Sequence, residues 1–290
     1  PPRSTPKPSS AASDVYKRQN LGRYSFVGCN PRGMIRQKGN LVEWIEGGQV
    51  RETYTVVGRA GRQAKGEGCD GLEVVEKVLA NYKPVTVDGL PRFTGGALGF
   101  VGHEFIHDIE PVIPRPPEDE LDTPTICLVI ADQLLVFDRV AQTLTIIVNG
   151  IIDPGDSVSE VYERAAGEVA RIVELLEKPI EYKRISFPAE LPEKAFQSNQ
   201  QKDQFLKNVA SAKEYIHAGD IIQVVGSQRF SAPLDASPLD VYRAVRSINP
   251  SPYMFLLEFE GYSLVGASPE IHVPVSYTHL RAHETREDRG

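Results

Sequence analysis

The run HEFIH at His103–His107 sets two imidazoles four residues apart, with a carboxylate between them. On a helix this spacing puts both rings on one face for a zinc ion and leaves the glutamate as general base. The flanks restrict that chemistry. GGALGFVG precedes the motif and PVIPRPP closes it, which leaves about two helical turns where a metallopeptidase needs a long helix. A short surface helix with two solvated histidines is the favoured reading, with a zinc metallopeptidase as an alternative. GGALG at Gly95–Gly99 has the glycine content of a phosphate cradle, but no helix N-terminus of the required form follows it. Its glycines read instead as a strand passing closely under a helix. Ser268, Pro269 and Glu270 offer a hydroxyl and a carboxylate with no general base nearby in sequence, so a turn is the simpler reading. NPSPYMF at Asn249–Phe255 is different in kind. Its two prolines fix φ and remove backbone donors, making a stiff lead-in that holds Tyr253 and Met254 at the mouth of a strand.

The elements that must position these residues are legible from periodicity. LVEWIEGGQVRETYTV reads as a hairpin around Gly47 and Gly48. TICLVIA, QLLVFD and LTIIVNG lie close together between short polar turns, as in an antiparallel meander. Leu72, Val75, Leu79 and Tyr82 share one helical face, and Val158, Val161, Ala165, Val169, Ile172 and Leu176 make a longer stripe. Ser157 followed by Glu160 predicts a capping box for that second helix. Phe205, Val209, Ala212 and Ile216 predict a third helix, ended at Gly219, before a strand over IIQVVGSQRF. DVYRAVRSI predicts a fourth, and FLLEFEGYSLVG a hairpin turning at Gly261. Helices mixed with antiparallel strands predict an α+β fold, a sandwich of mainly antiparallel sheets with helices, incomplete at both ends.

Composition narrows the function classes. The chain has 290 residues and a formal charge of −7, which speaks against nucleic acid and anionic membranes as partners. No segment has the length and apolarity of a membrane span. Cys29, Cys69 and Cys127 are odd in number and form no C-x-x-C pair, which predicts reduced thiols and a cytoplasmic setting.

The two ends carry no structural pattern, and they share a hidden relation. DVYKRQ can be encoded by GATGTGTATAAGAGACAG, whose reverse complement, in another frame, gives VSYTHL, found at Val275–Leu280. Residues 1–19 and 274–290 are therefore read as translated sequencing adapter or non-native tail. The remainder divides into an N-terminal domain at 20–178, a connector at 179–201 and the start of a catalytic domain at 202–273.

GRYSFVGCNP, FTGGALGFVGHE, YIHAGDIIQVVGSQRF, NPSPYMF and GASPE occur in one order over 20–273. In that order and spacing the chain resembles the anthranilate synthase component I family of chorismate-utilising enzymes. The resemblance implies an enzyme that uses Mg²⁺ and ammonia to convert chorismate to anthranilate and pyruvate in tryptophan synthesis, with ammonia delivered by a glutamine amidotransferase subunit. It implies that Pro252, Tyr253 and Met254 line a site for L-tryptophan as feedback inhibitor. It places Gln223 where water-adding relatives carry a lysine base, and it puts the metal ligands and main catalytic groups outside this chain, which is then inactive alone. Aminodeoxychorismate synthase shares most of these motifs, and Met254 favours anthranilate synthase. A tryptophan-sensing module without chemistry is a further alternative. The family carries an aromatic, an acid and a base where HEFIH stands, and more often leucine at Gly226.

Overall fold

The computed structural model describes residues 23–57, 70–110, 112–113, 119–180, 196–251 and 253–268. Its first sheet grows from tight turns. β2 (Gly33–Lys38) and β3 (Leu41–Glu46) pair antiparallel, and β3 returns as β4 (Gln49–Thr55). Gly47 and Gly48 make the second turn with φ of +59° and +74°, the paired left-handed geometry that two-residue hairpins favour and glycine adopts without strain. β5 (Gly96–Val101) and β6 (Ile126–Ala131) complete an antiparallel sheet of order β4-β3-β2-β6-β5. Gly99 is required by this pairing, because a Cβ there would lie 2.0 Å from the Cys127 carbonyl oxygen. The close approach is thus to the neighbouring strand rather than to a helix.

One face of this sheet is a core. Ile35, Val42, Trp44, Ile126 and Ile130 are buried against Val74, Val75 and Val78 of α1 (Gly71–Leu79) and against Phe105. Of the expected face, Val75 is buried and Leu79 and Tyr82 pack against this core, while Leu72 stays exposed and Val74 and Val78 join the buried side. Asp70 caps α1 in the reciprocal box with Glu73. The Trp44 ring lies across Gly33, where a Cβ would sit 2.3 Å from it.

The expected meander does not form as one unit. β6 belongs to the first sheet, whereas β7 (Gln133–Asp138) and β8 (Thr143–Val148) join β1 (Tyr24–Gly28) in a second sheet of order β1-β7-β8. The chain crosses between sheets through Asp132 alone. The reason is pairing partners far upstream: β6 takes β2 and β7 takes β1. Ala131, Leu134, Val136 and Ile147 form the second core. α3 (Val158–Glu177) buries Val161 and Ile172, while Val158 and Leu176 at its ends remain exposed. Ser157 is its N-cap by position, but its side chain makes no capping bond, so the predicted box is absent there.

Beyond the expected connector, of which residues 181–195 lie outside the described residues, come short β9 (Gln197–Ser198), α4 (Lys202–Ala218) and α5 (Pro238–Ile248). α4 ends as expected, with Gly219 at φ +83° and its N–H and that of Asp220 bonded to the carbonyls of Ile216 and Tyr215. The predicted strand over Ile221–Phe230 is a correction: only Phe230 and Ser231 form one (β10), and residues 221–229 run outside any ladder. β11 (Tyr253–Phe259) and β12 (Tyr262–Ser268) form the expected hairpin around Gly261. The fold is α+β.

Candidate functional site

HEFIH forms a single 3-10 turn over His103–Phe105 and then α2 (Ile106–Ile109). Phe105 and Asp108 point inward, His103 is exposed, and His107 Nδ1 lies 3.2 Å from the Ile113 carbonyl oxygen. Gln37, fully buried on β2, donates its amide to Asp108 Oδ2 at 2.5 Å. The segment therefore anchors a helical turn to the first sheet. Among the described residues no three His, Cys, Asp or Glu side chains converge as a metal site.

The hairpin β11–β12 meets the other face of the first sheet. Phe259 and Tyr262 stack with centroids 5.2 Å apart, and Phe100 of β5 meets both edge-on at 5.7 and 6.4 Å. The Tyr262 hydroxyl lies against the Cys127 thiol, and burial pushes both groups upward in pKa. Cys127 Sγ is in turn 3.5 Å from Met34 Sδ. Sequence periodicity missed this contact, because its members come from five strands, β2, β5, β6 and the β11–β12 hairpin, spread along the chain. A cleft of about 280 Å³ beside it is lined by residues that include Arg32, Met34, Ile45, Val129, Glu258 and Phe259. Cys29 and Cys127 are free thiols, and Cys69 lies outside the described residues.

Tyr253 and Met254 open β11, opposite Ser268 and Ala267 of β12. Pro252 lies outside the described residues. The Tyr253 N–H reaches Ser251 Oγ at 3.4 Å, and that hydroxyl bonds the Ser268 carbonyl, so the start of the hairpin is tied across its two strands. The Tyr253 hydroxyl is enclosed and finds no partner among the described residues, and burial pushes it upward in pKa. Because neighbours in a strand face opposite ways, Tyr253 and Met254 present their side chains to different faces of the hairpin. Gln223 is not brought to them. It lies exposed in the unpaired segment, where a strand was expected, and Gly226 nearby has open space around its Cα.

A family profile described as chorismate binding enzyme matches residues 42–283. The chain belongs to this family. Among its relatives, anthranilate synthase component 1 of Acetivibrio thermocellus is 33% identical over 286 residues, covering 94% of this chain and 55% of that protein. The protein of the same name from Pseudomonas putida is 35% identical over 263 residues, covering 89% and 50%. That of Saccharomyces cerevisiae is 34% identical over 269 residues, covering 91% and 48%. A crystal structure of anthranilate synthase component I from Streptococcus pneumoniae superposes with a TM-score of 0.65 at 28% identity, covering 86% of this chain and 50% of that one. The chain thus spans about half the length of the chorismate-binding relatives it matches. No helix among the described residues is long and apolar enough to cross a membrane.

Proposed function

We propose that this chain is a portion of an anthranilate synthase component I, which in assembled form takes chorismate and ammonia to anthranilate and pyruvate. The observation that carries this reading is the ordered set of five motifs across 20–273, in a chain whose relatives bear that name along about nine-tenths of its length. The glutamine amidotransferase subunit and L-tryptophan belong to the same reading. Gln223 has an amide that can hold a nucleophile by hydrogen bonds but cannot take a proton, which suits ammonia over water as the attacking group. The enclosed Tyr253 hydroxyl, without a partner among the described residues, and the adjacent soft thioether of Met254 suit an indole ring and its polar edge at the start of β11. A magnesium ion would stabilise charge on the departing group, but the described residues gather no ligand set for it. The roles given to this chain's residues do not depend on it.

The test is an assay of this chain joined to the part of the Pseudomonas putida relative that it does not cover, supplied with chorismate, Mg²⁺ and ammonium. Anthranilate fluorescence together with pyruvate is expected, and amination without pyruvate would assign it to aminodeoxychorismate synthesis instead. Gln223→Ala is expected to lower the ammonia-dependent rate by tenfold or more, and an unchanged rate removes its role. Met254→Thr is expected to weaken tryptophan inhibition while leaving uninhibited turnover intact.

A further inference from the structure

Asn149 and Gly150 form the only Asn-Gly pair in the chain, and they stand where the two sheets meet. Asn149 follows β8, and its side-chain amide donates to the Thr94 carbonyl at 2.7 Å and to the Asp132 carbonyl at 3.2 Å. Its backbone N–H also reaches the Asp132 carbonyl, at 2.9 Å. One residue thus ties the lead-in of β5 in the first sheet to the β6–β7 link and to the end of β8 in the second. Gly95 leaves room for it, because a Cβ there would lie 2.8 Å from Asn149 Nδ2 and 3.1 Å from the Ala131 carbonyl oxygen. The glycine that follows is equally constrained. A Cβ at Gly150 would lie 2.8 Å from Val161 Cγ1 of α3, with the Ala165 Cβ 3.8 Å away.

Packing therefore sets beside this latching amide a residue with no side chain to shield it. Asn149 is exposed to solvent, and asparagine is a thermally labile residue. The chemistry open to the pair is ring closure. Gly150 N gives its proton to solvent base and bonds Asn149 Cγ, the Cγ–Nδ2 bond breaks, and ammonia leaves. Water then opens the five-membered imide at either carbonyl, which gives aspartate or the isomer whose chain runs through the side chain. We propose that Asn149 is a site of spontaneous deamidation, that its two side-chain hydrogen bonds retard the reaction in the folded chain, and that the product unlatches the sheet crossing. Retardation follows because Nδ2 must depart, and its departure breaks both bonds. Unlatching follows because a carboxylate only accepts. It replaces neither bond, and it sets a negative charge against two carbonyl oxygens left without that donor.

The test ages the purified chain at alkaline pH, in buffer and in concentrated urea, and reads the peptide holding residues 149 and 150 by mass spectrometry. A gain of one mass unit is expected, with methyl uptake from S-adenosylmethionine through an isoaspartate methyltransferase, at least tenfold faster in urea. No gain in urea, or equal rates in the two conditions, overturns the proposal. Asn149→Asp installs the product directly. Its amides at Arg32 and at residue 149, which bond the Ile130 and Asp132 carbonyls, should exchange at least tenfold faster than in the parent, while those of β3 and β4 stay unchanged. Exchange like the parent's at both amides, or exchange accelerated equally in β3 and β4, overturns the proposal as well. The deamidated fraction of the chain aged in buffer, separated by ion exchange, gives the same reading without requiring the variant to fold.

Discussion

Gly71 shows how one missing methyl sets a helix against a sheet. It opens α1 directly over Gln37, and a Cβ there would lie 1.8 Å from Gln37 Oε1 and 2.7 Å from Ile126 Cδ1. A glutamine end usually swings away. This one is fully buried and held through its amide by Asp108 and the Gly39 carbonyl, so it has nowhere to go. Gly71→Ala should therefore destabilise by about 1–3 kcal/mol, through overpacking. That outweighs the helix-propensity gain, which is at most about 1 kcal/mol and smaller at a helix end. Urea unfolding of the variant checks it, and a stabilised protein would show that the Gln37 side chain yields. At this scale the sequence spoke unevenly. The start of a strand at Tyr253 was legible in NPSPYMF, because proline restricts its immediate neighbours. Gln37 and Asp108 were not, because a buried amide and carboxylate look like surface residues until the partner 71 positions away is known.

The elements differ in how firmly their ends are fixed. Asp70 accepts from the N–H groups of Leu72 and Glu73, and Glu73 answers the Asp70 N–H at 3.2 Å, whereas Ser157 makes no side-chain bond to α3. Asp70→Ala should cost about 1 kcal/mol, and Ser157→Ala should cost a few tenths at most. Paired denaturant midpoints separate the two. The same S-x-x-E or D-x-x-E pattern precedes both helices, so sequence could mark the boundaries but not which box closes. The pairing of β1 with β7 ends in an ion pair, with Arg23 Nη2 2.6 Å from Asp138 Oδ2 and the N–H groups of Val140 and Ala141 bonded to the same carboxylate. The Arg23 hydrogen bond, above all, holds the Asp138 carboxyl at about 2. A carboxyl depressed in the folded state adds stability at pH above its unfolded value near 4, and that stability is lost as pH falls through about 2. The gap in unfolding midpoint between the parent and Asp138→Asn should be constant above pH 5 and close between pH 4 and 2. A gap that persists at pH 2 would show that the carboxylate is not what the strand pair relies on.

Across the whole molecule, two sheets share one uninterrupted strand path, β6 to β7, with the half-buried Asp132 as the link and its carboxyl pushed upward by burial. The α+β class and the strand positions could be read locally. The split between sheets could not, because β6 and β7 each pair with a strand roughly a hundred residues earlier and no local pattern records that choice. The segment at 221–225 is the converse case. Its composition announces a strand, and among the described residues no ladder receives it. Trp44 closes the account of the first sheet. It is the chain's single tryptophan, it is 8% exposed, and its ring is close enough to Gly33 that a Cβ there would meet it. Excited at the red edge of the ultraviolet band, the protein therefore has one lamp. Its emission stays blue while β2 and β3 remain sealed over the indole and turns red when water reaches it, so the colour of the entire chain is the state of a single strand pair.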